Sequence, residues 1–174
     1  MEKIVACVDG ATYTESVCDY ASWSAQRLQV PLEFLHVLMR MPEHRLDASG
    51  SIGLGAQEAL LAELSQLDER RSILAREHGR RILQAVRDRA VEFGIADVDV
   101  RQGHDDLIDT LLDLQDDTRL FVMGQHDEAH KPKRFLLDHN LEGAIRALNR
   151  PILVAGAEFR TPTRFMIAFD GSAT

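Results

Sequence analysis

Short apolar runs alternate with helical patterns along nearly the whole chain, and this alternation restricts the fold more than any other feature. Residues 4–8 are wholly apolar and lead into Asp9-Gly10, as expected of a strand buried on both faces. A helix follows, with Thr12 or Thr14 as its cap and Tyr13, Val17, Tyr20, Ala21, Trp23, Ala25 and Leu28 on a wide apolar face. Residues 32–38 form a second strand interrupted only by Glu33 and His36. Residues 39–55 lack a clean period and contain Gly50, Gly53 and Gly55. A long helical pattern then runs from about Gln57 to Phe93, with Leu60, Leu64, Leu67, Leu74, His78, Ile82 and Val86 at helical spacing. That stripe reads as core or as a partner surface. Gly79 marks a bend or weak point, and Gly94 ends the helix. Val98 and Val100, with Ile95 as a further candidate, give a third strand. Gly103 opens a turn, and Asp105 or Asp106 caps a helix over 107–114. Residues 120–123 form a fourth strand closed by Gly124. A polar loop, 125–133, precedes a helix around 141–148, and 151–155 is a fifth strand. Strands separated by helices require right-handed crossovers and a parallel sheet covered on both faces. Ligands of such sheets bind where loops diverge at the carboxyl ends of the strands. The loops after Val8, Val37 and Gly124 are therefore the expected pocket walls.

The chain also begins twice. KIVACVDGAT at residues 3–12 returns as RFMIAFDGSA at residues 164–173, aligning Asp9 with Asp170 and Gly10 with Gly171. A repeat separated by one domain length suggests two tandem units. Asp-Gly after an apolar strand is also common turn chemistry. The expected organisation is one domain over 1–156, a linker over 157–163 and the first strand of a truncated second domain over 164–174. Pro162 blocks helix continuation in the linker. A strand carrying Phe165, Met166, Ile167 and Phe169 needs partners for its backbone and its apolar surface. It is expected to pair with a sheet edge of its own or a neighbouring molecule.

Charge narrows the partners. The net charge is −8 and the pI near 5.3, which repels nucleic-acid backbones and anionic membranes. Lys131, Lys133 and Arg134 make too small a basic patch to reverse this. Met1-Glu2-Lys3 runs directly into a strand, so neither a signal peptide nor a membrane span is expected, and the expected location is cytoplasmic. Cys7 and Cys18 lack metal-ligand spacing and read as reduced core residues.

Several segments resemble the universal stress protein family. They are IVACVDGAT at the first strand, LEFLHVL at the second, LFVMG at the fourth, and LLDHNLEGAIRALNRPILVAG through the fifth. The resemblance implies an adenine-nucleotide alpha hydrolase-like α/β fold. Its sheet has five parallel strands in the order 3-2-1-4-5, with helices on both faces, and members are commonly dimeric. Some members bind ATP and others do not. In the binders, glycines after the fourth strand let backbone N–H groups reach phosphates, and a small hydroxyl residue at a helix N-terminus assists. Here Gly124 keeps the first glycine, but Asp127 and Asp138 replace the next two and His139 the hydroxyl residue, while Asn140 matches the family. A like-charge pair at ~4 Å costs roughly 4 kcal/mol at an effective dielectric near 20. A single hydrogen bond returns only ~1 kcal/mol. By the same resemblance Asp9 and Val37 are adenine-side positions, and both are intact. The base pocket is thus expected to survive without its phosphate cradle.

Other candidates have plainer readings. Asp9 suits either a nucleotide base or the cap of the turn that follows it. His36 reads as a hydrogen-bonded core histidine. His126 and His130 have the i,i+4 spacing of metal ligands, but in a polar loop with Pro132. Asp105 and Asp106 read as helix caps, and Asp116 and Asp117 as a solvated turn. No Ser/His/Asp order, P-loop lysine or GxGxxG is present. The expectation is a non-catalytic domain acting in stress response by binding and association, with no cofactor. The alternative is a nucleotide-dependent switch that binds ATP or AMP, and a third reading is a metal- or small-ligand sensor using the histidines of the 126–139 loop. The expected partners are a second copy, joined through the final strands, and an unidentified protein.

Overall fold

The computed structural model describes residues 2–38, 54–104, 106–125 and 139–168. The elements run β1 (Lys3–Cys7), α1 (Thr14–Leu28), β2 (Leu32–Val37), α2 (Leu54–Glu92), β3 (Val98–Gly103), α3 (Leu107–Leu114), a 3-10 turn (Gln115–Asp117), β4 (Thr118–Gly124), α4 (His139–Ala147) and β5 (Ile152–Ala155). All four strand pairings are parallel, and the sheet order is β3-β2-β1-β4-β5. This is the doubly wound sheet that the alternation and the resemblance implied.

Side-chain alternation divides the core between two faces. Ile4, Ala6, Leu32, Phe34 and Val122 pack against α1 and the second half of α2. Val5, Leu35, Phe121 and Met123 pack against α3 and α4 through Leu111, Leu114, Leu141 and Ala144. Phe34 and Phe121 are fully buried, each a burial of about 2–3 kcal/mol. Glu33 is buried among these apolar residues because two neighbours neutralise it. Lys3 Nζ lies 2.6 Å from one carboxylate oxygen and Arg101 Nε 2.7 Å from the other. Burial alone would raise the Glu33 carboxyl. The bonds from Lys3 and Arg101 outweigh burial and hold it below its ordinary 4.5.

Several boundaries differ from the sequence reading for local reasons. Neither Thr12 nor Thr14 caps α1. Tyr13 occupies the cap position without a side-chain capping bond, and Thr14 is the first helical residue. Gly103 ends β3 instead of opening a turn. Ile95 lies outside β3, and Leu148 outside α4, though both are buried. The Asp106 carboxylate caps α3 by accepting from Ile108 N at 2.8 Å. Gly79 does not interrupt α2. It is the point where the helix crosses the sheet, and a Cβ there would lie 2.6 Å from the His36 ring and closer still to the Gln102 amide. The part of α2 after this crossing is buried through Ile82, Leu83, Val86 and Ala90.

Residues 157–160 of the expected linker lie on α1. The Ser16 hydroxyl donates to the Gly156 carbonyl. The Phe159 ring meets Tyr20 edge-on at 4.9 Å and Phe93 at 6.1 Å. Residues 161–168 carry no regular structure, and Phe165 and Met166 are each 90% exposed. Through residue 168 the second start is therefore not paired with the sheet of its own chain. Asp170 and Gly171 lie outside the described residues.

Candidate functional site at the carboxyl ends of the central strands

Between β1 and β4 the crossover direction reverses, and loops leave the sheet on opposite faces. The registers Cys7↔Leu35 and Ala6↔Val122 put the ends of β1, β2 and β4 side by side. The structure thereby brings Asp9, Val37 and Gly124 to one edge. His139 and Asn140 open α4, which runs back from that edge against Val5, Phe121 and Met123. Asp127 and Asp138 lie outside the described residues, as do His126, His130, Lys131, Lys133, Arg134 and Asp105.

The β1 loop is closed upon itself. Asp9 Oδ1 accepts from Ala11 N at 2.9 Å and from the Thr14 hydroxyl at 3.2 Å. The same hydroxyl accepts from Gly10 N at 2.9 Å. Two backbone donors that would otherwise suit an anion are thus satisfied inside the loop. Gly10 has φ +81°, a left-handed conformation that glycine adopts without a Cβ clash. A Cβ there would also stand 2.5 Å from Ile82 Cδ1, so α2 closely covers this turn.

Gly124 has a packing role beside its motif position. A Cβ on it would stand 2.9 Å from Tyr13 Cβ and 3.3 Å from Val17. Its bare backbone lets the start of α1 close over the end of β4. Tyr13, Thr14 and Ile82 therefore shape the site, although the sequence reading assigned them only to helices. The five-residue interval from Asp9 to Thr14 was the available signal, because a hydroxyl one helical turn past an Asp-Gly turn can fold back onto it.

His36 is buried, with Nδ1 2.8 Å from the Val8 carbonyl. Nδ1 donates to that carbonyl, as expected of a core histidine. Burial pushes the Cys7 thiol up to about 12. Burial, with Asp19 nearby, does the same for Cys18. Neither is a nucleophile at neutral pH. Among the described residues no cluster of three or more His, Cys, Asp or Glu side chains is arranged to hold a metal. No helix of the described residues is long and apolar enough to cross a membrane.

The description "Universal stress protein family" belongs to a family model that matches residues 1–156. The chain is 31% identical over 177 residues to universal stress protein Slr1230 of Synechocystis sp. (strain ATCC 27184 / PCC 6803 / Kazusa). That alignment takes in all of this chain and 62% of the relative's length. Among solved structures, the fold is similar to the hypothetical protein MJ0577, with TM-score 0.64 and 15% identity over 91% of this chain and 98% of that one. A universal stress protein crystallised in complex with cAMP has TM-score 0.58 and 17% identity, covering 90% and 98% of the two chains. The universal stress protein from Archaeoglobus fulgidus in complex with dAMP has TM-score 0.54 and 18% identity, covering 89% and 98%. At these identities the structural likeness is one of fold.

Proposed function

Because the chain belongs to the universal stress protein family over residues 1–156, we propose that it acts in stress response by binding and association, without catalysis and without a tight ATP site. The observation that carries this reading is the self-closed β1 loop, in which Asp9 and Thr14 take up the Gly10 and Ala11 N–H groups. The sequence supports it from the other wall, where Asp127, Asp138 and His139 stand at the phosphate-cradling positions. A second reading has one specific support. Two proteins of this fold have structures in complex with cAMP and with dAMP, and Asp9 and Val37, the base-side positions by resemblance, share one edge here. A nucleotide with a single phosphate asks least of the missing cradle.

Association is proposed through the β5 edge with a second copy. β5 is the last strand of the sheet, and Val154 on it is 39% exposed. An open edge presents unpaired backbone groups to a partner.

Calorimetry with ATP and Mg²⁺, and separately with AMP, tests the reading. No micromolar ATP binding is expected. Changing Asp127→Gly, Asp138→Gly and His139→Ser together should raise ATP affinity by at least about a hundredfold, since two repulsive charges disappear. Micromolar ATP binding by the unaltered chain would refute the proposal. Failure of the triple variant to gain affinity would show that the base side is closed as well.

A further inference from the structure

The longest element among the described residues runs well outside the core. α2 spans 39 residues, yet from residue 60 onward its buried positions begin only at Gly79. The stretch ahead of that crossing, 54–77, is about 36 Å long at 1.5 Å per residue, and Gln102 on β3 reaches it at the Arg76 carbonyl. From residue 60 to residue 78 every side chain is exposed except Leu64, which is half-buried. This arm is not a polar spacer. Leu60, Leu67 and Leu74 are 40%, 42% and 64% exposed, and with Leu64 they fall at intervals of four, three and seven residues. Those intervals draw one seam along the helix, with the spacing of a two-helix coiled coil. Arg71 fills the one gap in the seam. A free-standing helix of this length gains little from propensity, so an apolar seam on it calls for a second helix.

Charge identifies that helix. Residues 60–69 carry Glu63, Asp68 and Glu69 and no basic residue. Residues 70–81 carry Arg70, Arg71, Arg76, Arg80 and Arg81 against Glu77 alone. The arm is thus acidic in its first half and basic in its second, with the reversal near the middle of the seam. Two copies laid antiparallel place each acidic half on the other's basic half. Two copies laid parallel put like charge against like. The geometry points to an antiparallel pairing of α2 arms from two copies of this chain, joined by the Leu60–Leu64–Leu67–Leu74 seam and oriented by the charge split. Arg71 supports that orientation. It already lies 3.9 Å from Asp68 one turn earlier, and in an antiparallel pair it also faces the acidic half of the partner helix. This contact is separate from the β5 edge and from the loops around Asp9.

The test uses the full chain. Sedimentation should show a dimer that Leu67→Asp with Leu74→Asp weakens at least about tenfold. Thermal unfolding of that variant should hold, because both side chains are exposed. One chain made basic in the arm (Glu63→Arg, Asp68→Arg, Glu69→Arg) and another made acidic (Arg70→Glu, Arg71→Glu, Arg76→Glu) should each lose the arm contact alone, keeping only what the β5 edge holds, and regain it one to one when mixed. A spin label on a cysteine replacing Ala62 should report a separation of roughly 20 Å across an antiparallel pair, against about 10 Å for a parallel one. A monomer at high concentration overturns the proposal, as does a dimer indifferent to Leu67 and Leu74, or labels at the shorter distance.

Discussion

Glu33 shows how far a single residue can be read from its own neighbourhood. In the sequence it is an interruption in an apolar strand. In the structure it is the centre of a buried pair of ion contacts whose cations come from β1 and β3. Lys3 and Arg101 lie 30 and 68 residues away, so no local pattern announces them. The partners remain hydrated at their outer ends, with 22% and 49% side-chain exposure, and can return to water if the carboxylate is removed. Glu33→Gln should therefore cost about 1.5–3 kcal/mol at neutral pH, the range for bonds to charged groups. The folded carboxyl titrates below its ordinary value, so its contribution is full above the unfolded group's 4.5 and fades as pH falls through the lowered folded value. Urea unfolding of the two chains across this range should show the gap closing in acid. A gap that stays constant would contradict the ion-pair account. Asp9 teaches the complementary lesson. Its two readings, ligand contact and turn cap, were both legible, and the bonds to Ala11 and Thr14 show the second directly.

At the scale of elements, starts and stops written in local chemistry were legible, and crossings were not. The Asp106 cap of α3 and the Gly94 turn after α2, at φ +97°, follow from side-chain and backbone preferences within a few residues. Gly79 has the same local signal as a weak point, yet α2 passes straight through it. Its role comes from the His36 ring and the Gln102 amide on β2 and β3, which press against the helix backbone. The two explanations predict opposite signs. A glycine that only weakens a helix would gain about 0.5–1 kcal/mol on Gly79→Ala. A glycine required by a crossing should lose about 1–3 kcal/mol through overpacking. We expect the loss, seen as a lower denaturation midpoint, and a gain would refute the crossing role. The apolar stripe of α2 divides at this same residue. The period gives no clue to the division, because core and partner surface call for the same spacing.

For the whole molecule, the alternation of strand and helix made the parallel sheet legible, while the order 3-2-1-4-5 came from resemblance. The path of the chain after β5 was less visible. AEFRTPT has linker composition, but Phe159 is anchored between Tyr20 and Phe93 across α1. Both rings are distant in sequence, 66 and 139 residues away, so no local pattern announces the contact. One element of this packing also makes the molecule its own instrument. Trp23, the single tryptophan, lines a cavity of about 280 Å³ with Leu28, Leu120, Ile152 and Leu153, beside the outer strand β5. Its indole N–H has no hydrogen-bond partner among the described residues. Its fluorescence is thus an optical gauge of that border. A second copy closing on β5 should shift the emission to shorter wavelength and shield it from iodide. Pairing through the α2 arms should leave the spectrum unchanged, since the seam lies beyond the opposite end of the crossing at Gly79. A dilution series read at one wavelength and beside sedimentation would then tell which of two surfaces parts first. An unchanged spectrum through a dissociation that Leu67 and Leu74 do not control would remove β5 from the account.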